Sequence, residues 1–146
     1  MKLVPEHINE LNQFTRGLDP KVAMSIGQVS QIHKWFSDLG IERSKYSIDD
    51  KLNITVEGSL NLSNTKITSL PDNLRTVNGS LDLSYTNITS LPNNLRTVNG
   101  WLDLSYTKIT NLPDNLTVNG NLYLSNTNIT RLPDSLKVRG TIYKNF

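Results

Sequence analysis

The 146-residue chain has no cysteine, which excludes disulfides, thiolate catalysis and cysteine-ligated metals. No stretch approaches the roughly 18 consecutive apolar residues that a membrane span needs. The opening MKLVPEHINELNQF has no apolar core of a signal peptide, so a cytoplasmic protein is expected. Charge is short on both sides of the balance: 15 basic residues against 13 acidic ones leave +2, too little for the whole surface to select nucleic acid or anionic membrane. The chain lacks G-x-x-x-x-G-K-[ST], G-x-G-x-x-G and G-x-S-x-G, so neither a phosphate cradle nor a serine elbow is expected. Its two histidines, His7 and His33, have no partners at metal-ligand spacing, and no metal or cofactor is expected. Aromatic residues are only 7% of the chain, so their clustering carries information.

What the chain does have is a repeat. Glycines at 58, 79, 100, 120 and 140 are spaced by 21, 21, 20 and 20 residues. Between them stand GSLNLSNTKITSLPDNLRTVN, GSLDLSYTNITSLPNNLRTVN, GWLDLSYTKITNLPDNLTVN and GNLYLSNTNITRLPDSLKVR, followed by a truncated GTIYKNF. The apolar positions recur in every full copy; in the second they are Leu81, Leu83, Ile88, Leu91, Leu95 and Val98. L-x-L is a period-two signal that places a short strand with both leucines on one face. The L-P step removes a donor and fixes φ, which suits a polyproline-like return leg. Asn-Gly between apolar stretches is also a type I′ hairpin signal, but hairpins leave the fixed period unexplained. A coil of parallel strands explains it. Six apolar side chains cannot offset the ordering of about 20 residues, so the copies fold only when stacked.

This pattern resembles the leucine-rich repeat, L-x-x-L-x-L-x-x-N-x-L, over 58–146, and with its short period and LPDNL it looks most like the short bacterial subclass found in secreted effectors. The resemblance implies an α/β solenoid, a leucine-rich repeat array with short parallel strands on a concave face. Where the family has Asn, this chain has Thr65, Thr86, Thr107 and Thr127; a hydroxyl offers one donor where an amide offers two, so that side-chain ladder is expected to be thinner. Some relatives of the effector type carry a ligase domain that uses a cysteine, which this chain lacks.

Residues 1–57 hold no full copy and are expected to form a helical N-terminal cap leading into the first coil, with 58–146 as the repeat domain. Pro5 opens a first helix with Ile8, Leu11 and Phe14 on one face, closed near Gly17. Asp19-Pro20 starts a short helix through Met24, and Val29, Ile32, Phe36 and Leu39 mark a third, stopped by Gly40. NITVEG at 53–58 matches NLTVNG at 115–120, the return leg of a coil before the first full copy. RGLDPKVAMSIG with IHKWFSDLGI also resembles the leading segment of phage-encoded repeat proteins.

Leucines of the L-x-L strands point inward, so their neighbours form outward columns. One column is Ser59, Ser80, Trp101, Asn121 and Thr141; the next is Asn61, Asp82, Asp103, Tyr123 and Tyr143. Beyond them run Ser63, Ser84, Ser105 and Ser125, flanked by Asn64, Tyr85, Tyr106 and Asn126. Variation between copies gathers on this strip. Trp101, Tyr123, Tyr143, Asp82, Asp103, Tyr85 and Tyr106 are therefore the expected partner-binding residues, Trp and Tyr being the types most enriched in binding hot spots.

The expected function is a non-enzymatic interaction module that takes a protein or peptide, whose identity these residues do not name. One alternative is a phage- or pathogen-derived inhibitor of a host protein, acting in the host cytoplasm. Another is a self-assembling module, a homo-oligomer through the edge strand Ile142–Phe146, where Lys144 stands at a leucine position. Asp82 and Asp103 have the proximity of a retaining glycosidase pair, but they mark one repeat position that carries Asn61 in the first copy, so no catalysis is expected. Calcium held by the same three residues falls short of six oxygens. Nucleic acid is not the expected partner, because carboxylates sit where stacked bases would bring phosphates.

Overall fold

The computed structural model describes residues 20–145. The helix expected at Pro5–Gly17, and Phe146 of the edge strand, lie outside the described residues. Each repeat makes one turn of a solenoid. Its L-x-L segment lies in one parallel sheet, and its T-V segment, past the L-P step, lies in a second.

The first sheet stacks β3 (Leu60–Asn61), β5 (Leu81–Asp82), β7 (Leu102–Asp103), β9 (Leu122–Tyr123) and β11 (Ile142–Tyr143) in parallel. The second stacks β2 (Ile54–Val56), β4 (Leu74–Val77), β6 (Thr97–Val98), β8 (Thr117–Val118) and β10 (Lys137–Val138). The return leg, expected to be polyproline-like, therefore carries a ladder of its own. Proline ends pairing only locally, and the Thr and Val after it suit a strand. The copies themselves contain no helix among the described residues; the α part of the expected α/β class is confined to the N-terminal side. Nor does the Asn-Gly step make hairpins: equivalent residues face each other in parallel, as in Leu81 with Leu102 and Val77 with Val98.

The mixed period has a structural cause. Between β2 and β4 the register runs Ile54 with Leu74 and then Thr55 with Thr76, leaving Arg75 as an extra residue. Arg96 stands at the same place in the next copy, whereas Leu116 passes directly to Thr117. The longer copies are those with an arginine inserted into the return strand.

All six apolar residues of the second copy are buried to 5% exposure or less. They belong to one continuous core that runs from Ile32 and Phe36 to Ile129. The last coil is thinner: Leu132, Leu136, Val138 and Ile142 are only partly buried.

On the N-terminal side, the expected short helix through Met24 and the third helix are one, α1 (Pro20–Asp38). Gly27 does not stop it, since its φ is not left-handed. The stop is Gly40, at φ +74°. Its N–H donates to the Ser37 carbonyl at 2.9 Å and that of Ile41 to the Phe36 carbonyl at 2.9 Å, a Schellman ending. A short 3₁₀ turn (Arg43–Lys45) then leads into β1 (Tyr46–Ile48), which pairs antiparallel with β2. This places β1 over the edge of the second sheet. β2 is the return leg that NITVEG led us to expect. Phe36 stacks on Tyr46 with centroids 3.8 Å apart, fastening the helix to this strand. No helix among the described residues is long and apolar enough to cross a membrane.

The corner glycines are required by proximity rather than by dihedral angle, for none of them has a positive φ. Their backbones form a column in which Gly79 N–H donates to Gly58 O at 3.0 Å, Gly100 to Gly79 at 2.9 Å, Gly120 to Gly100 at 2.9 Å and Gly140 to Gly120 at 3.1 Å. A Cβ on Gly120 would lie 2.8 Å from the Gly100 carbonyl carbon and oxygen, both backbone. A Cβ on Gly58, the first of the column, meets nothing within 4 Å. Gly120→Ala is accordingly expected to lower unfolding stability by about 3 kcal/mol, and Gly58→Ala to change it by less than about 1 kcal/mol. Urea denaturation of the two variants measures the difference; equal losses would show that the column is not a packing constraint.

His33 gives the N-terminal side a pH dependence. Its Nδ1 lies 2.7 Å from the Tyr46 hydroxyl. Burial, and secondarily the Arg43 charge, hold its pKa below the ordinary 6.5. As pH falls past about 6.5 the unfolded chain takes up the proton first, so this stability is whole above that pH and declines below it, through the lower folded pKa. Denaturation midpoints are expected to be level from pH 8 to about 6.5 and to fall below it, with His33→Gln removing that step.

Candidate interaction surface

The outward columns expected from the sequence occupy one face of the first sheet. Adjacent strands bring Asp82 beside Asp103, Asp103 beside Tyr123, and Tyr123 beside Tyr143. Tyr123 stands edge-on to Trp101, with centroids 6.3 Å apart and planes at 84°, and stacks on Tyr143 at 5.0 Å and 5°. Tyr85 and Tyr106 form a second stack, 4.5 Å apart and 8° from parallel. Trp101, Tyr85, Tyr106 and Tyr143 are all exposed, at 39, 55, 50 and 46%, while Tyr123 is half-buried between its neighbours.

The side chains of this face also serve the backbone. In the first column Ser59 Oγ accepts the Ser80 N–H at 2.9 Å, and Ser80 Oγ accepts the Trp101 N–H at 3.0 Å. Asn121 Oδ1 accepts the Thr141 N–H at 2.9 Å. The indole of Trp101 has no acceptor to offer Asn121, so the tryptophan interrupts a ladder that serine continues.

The second column holds the turn after each strand. Asn61 Oδ1 accepts from the Ser63 N–H at 3.0 Å and its hydroxyl at 2.7 Å. Asp82 Oδ1 does the same for Ser84, at 3.0 and 2.6 Å, and Asp103 Oδ1 accepts the Ser105 N–H at 2.9 Å. These are Asx turns, made equally well by amide and carboxylate. They leave Oδ2 of each aspartate outside the turn.

The turn places one residue per copy in left-handed backbone: Asn64 at φ 59°, Tyr85 at 57°, Tyr106 at 59° and Asn126 at 57°. Asparagine visits this region readily; for tyrosine it costs roughly 1–2 kcal/mol. Burial against neighbouring groups, then Tyr106, and lastly the Asp103 carboxylate hold the Tyr85 phenol above its ordinary pKa.

Behind the face, Thr65, Thr86, Thr107 and Thr127 each donate their hydroxyl to the carbonyl three residues back, Leu62, Leu83, Leu104 and Leu124, at 2.6–2.9 Å. These bonds stay within a copy, so they close each turn without joining coils. A ladder of side chain to side chain between coils stands before each glycine. Asn78 Nδ2 donates to Glu57 Oε2 at 3.2 Å, Asn99 Nδ2 to Asn78 Oδ1 at 3.1 Å, and Asn119 Nδ2 to Asn99 Oδ1 at 2.7 Å. It ends at a buried, unpartnered Asn119 Oδ1, because the next copy has Arg139 at this position. Sequence reasoning weighed Asn-Gly only as a hairpin signal, set that aside, and so missed this ladder; its signal was asparagine recurring at the glycine spacing. It also missed the left-handed tyrosines, whose signal was Asn64 and Asn126 at the same repeat position.

Among the described residues, no group of three or more His, Cys, Asp or Glu is placed to hold a metal ion. No family model matches the chain, nor does any curated protein or solved structure.

Tyr85→Asn/Tyr106→Asn removes a stacking contact of about 1 kcal/mol and relieves roughly 1–2 kcal/mol of strain at each position. Its unfolding free energy is expected to equal or exceed that of the parent chain in urea denaturation. A fall of more than about 1 kcal/mol would make the tyrosine stack a structural prop.

Proposed function

We propose that this solenoid is a leucine-rich repeat module, non-enzymatic, that binds a protein or peptide through the aromatic and acidic strip of its first sheet. The family reading rests on the L-x-L strands stacked in register with their leucines inside, and on threonines that close the backbone turn at the family's asparagine position. The binding reading is carried by one observation. At Trp101, the aromatic side chain replaces a residue type that elsewhere in the column accepts a backbone N–H, and it remains 39% exposed. Local stability does not ask for this residue; contact with another molecule does.

Size and chemistry narrow the reading. Five strands about 4.8 Å apart and three outward columns give the strip roughly 280 Å² in projection, well under the ~800 Å² per partner of a standard interface. A peptide or an inserted loop matches that area. Against catalysis, Oδ1 of Asp82 and of Asp103 is already occupied by the turn that follows. The partly buried last coil, with Ile142 at its edge, favours self-assembly as the second reading, although Lys137 and Arg139 would bring like charges together across a tail-to-tail contact.

The test is Trp101→Ser/Tyr123→Asn, which installs side chains that other copies already use at these positions. The variant is expected to unfold within about 1 kcal/mol of the parent, since the serine hydroxyl restores an acceptor for the Asn121 N–H. It should lose a partner captured by the parent chain from lysate of the producing cells, identified by mass spectrometry, with at least a tenfold drop in recovery (about 1.4 kcal/mol). Equal capture by the two chains would move the interaction off the strip.

A further inference from the structure

The two aspartates depart from the repeat's own solution as clearly as the tryptophan does. Asn61 makes both hydrogen bonds of the Asx turn without a charge. Asp82 and Asp103 make the corresponding bonds as carboxylates and stand directly opposite each other on adjacent parallel strands, where like charges repel. Neither the turn nor the sheet needs that pair of charges. Each Asx turn leads straight into a stacked tyrosine, Ser84 into Tyr85 and Ser105 into Tyr106, so the carboxylates and the stacked phenols occupy neighbouring repeat positions. Of the basic residues of the array, Arg75 and Arg96 lie on the return legs, Arg131, Lys137 and Arg139 on the last coil, Lys66 and Lys108 past the Asx turns, and Lys144 directly after Tyr143.

We propose that the strip takes a cationic side chain, an arginine of an extended peptide, with its guanidinium against the tyrosine stack and its N–H groups on the free Oδ2 atoms of Asp82 and Asp103. The inference rests on the binding reading given above and names the chemistry of the partner. Three properties of the patch fit arginine. A flat guanidinium lies over an aromatic ring, and the stacked Tyr85 and Tyr106 are both exposed. The fork of donors serves two neighbouring carboxylate oxygens at once, which the point charge of lysine does less well. One cation also relieves the repulsion between the two aspartates. A polyanion meets repulsion from both carboxylates.

The probe is a blocked peptide of alternating glycine and arginine, titrated calorimetrically at low salt into the intact chain. Counterparts carry citrulline, which keeps the shape and loses the charge, or lysine. The arginine peptide is expected to bind at least about tenfold more tightly than the citrulline peptide, the scale of a charged hydrogen bond, with lysine between. Asp82→Asn/Asp103→Asn keeps the Asx turns, as Asn61 does, and is expected to weaken arginine binding by about tenfold. Asp72→Asn/Asp114→Asn, in the L-P turns, is expected to leave it unchanged.

Equal affinity for arginine and citrulline, equal losses in the two aspartate variants, or no arginine binding would each overturn the inference, as would preference for single-stranded oligothymidylate. Failure of this reading is distinguishable from failure of the strip itself. A captured partner that needs Trp101 and Tyr123 but contacts them through a segment without arginine would sink the arginine assignment and leave the binding surface standing.

Discussion

The solenoid depends on how closely one coil's corner can approach the next. At the glycine column, backbone lies on backbone, and each N–H reaches the carbonyl of the preceding corner at about 3 Å. That contact sets the spacing at one edge of both sheets, because T-V arrives at the corner and L-x-L leaves it. Any side chain there would push the coils apart by more than either ladder tolerates, since hydrogen bonds weaken steeply with distance and angle. Gly58 is exempt only because no preceding corner lies against it. The same residue type at the same repeat position therefore carries different weight along the array, and weight increases once there is a neighbour to touch.

Given that spacing, polar side chains do two separate jobs. Threonines close each turn onto its own backbone, whereas asparagines before the glycines join one coil to the next. Short hydroxyls reach only local carbonyls; the longer amide has donor and acceptor at opposite corners and can pass a chain of bonds along the stack. The chain begins on the Glu57 carboxylate, a pure acceptor, which suits its first donor. It stops where Arg139 offers no acceptor to continue the pattern, and the orphaned Asn119 Oδ1 marks the same end of the array at which the apolar core thins. Polar and apolar order fade together there.

Much of this architecture was legible in the residues, for reasons that also show where legibility ended. Glycine spacing and L-x-L periodicity report directly on stacking and on which leucines are inside, and the six apolar residues from Leu81 to Val98 are buried as that pattern required. The return strand was hidden because proline dominates the local signal, while two residues of T-V are too few to show a period. The helix expected to end at Met24 runs on through Gly27, whose backbone does not turn left-handed as it does at Gly40. On the strip, the outward residues could be named from alternation alone. Their hydrogen-bond duties could not, because an Asx turn depends on the path of the chain beyond the strand. The left-handed tyrosines stayed hidden for the same reason: a backbone angle leaves its trace in the asparagines of other copies, not in tyrosine itself.

Those duties connect the fold to the face. On this sheet an outward side chain serves the backbone of its own turn or of the next coil, so altering the surface has a structural consequence that ordinary surface positions do not have. Trp101 gives up an acceptor, Tyr85 and Tyr106 occupy backbone that asparagine adopts with less strain, and Asp82 and Asp103 set like charges side by side in turns that Asn61 closes without them. Each substitution is unfavourable when considered locally. All five lie in the second and third copies, where the core is most completely buried and a coil stacks on either side. Stacking cooperativity lets the interior of an array absorb losses that a terminal repeat could not. These five residues thus draw on stability supplied by the repeated core, and their concentration in the middle of the array follows from the mechanics of stacking.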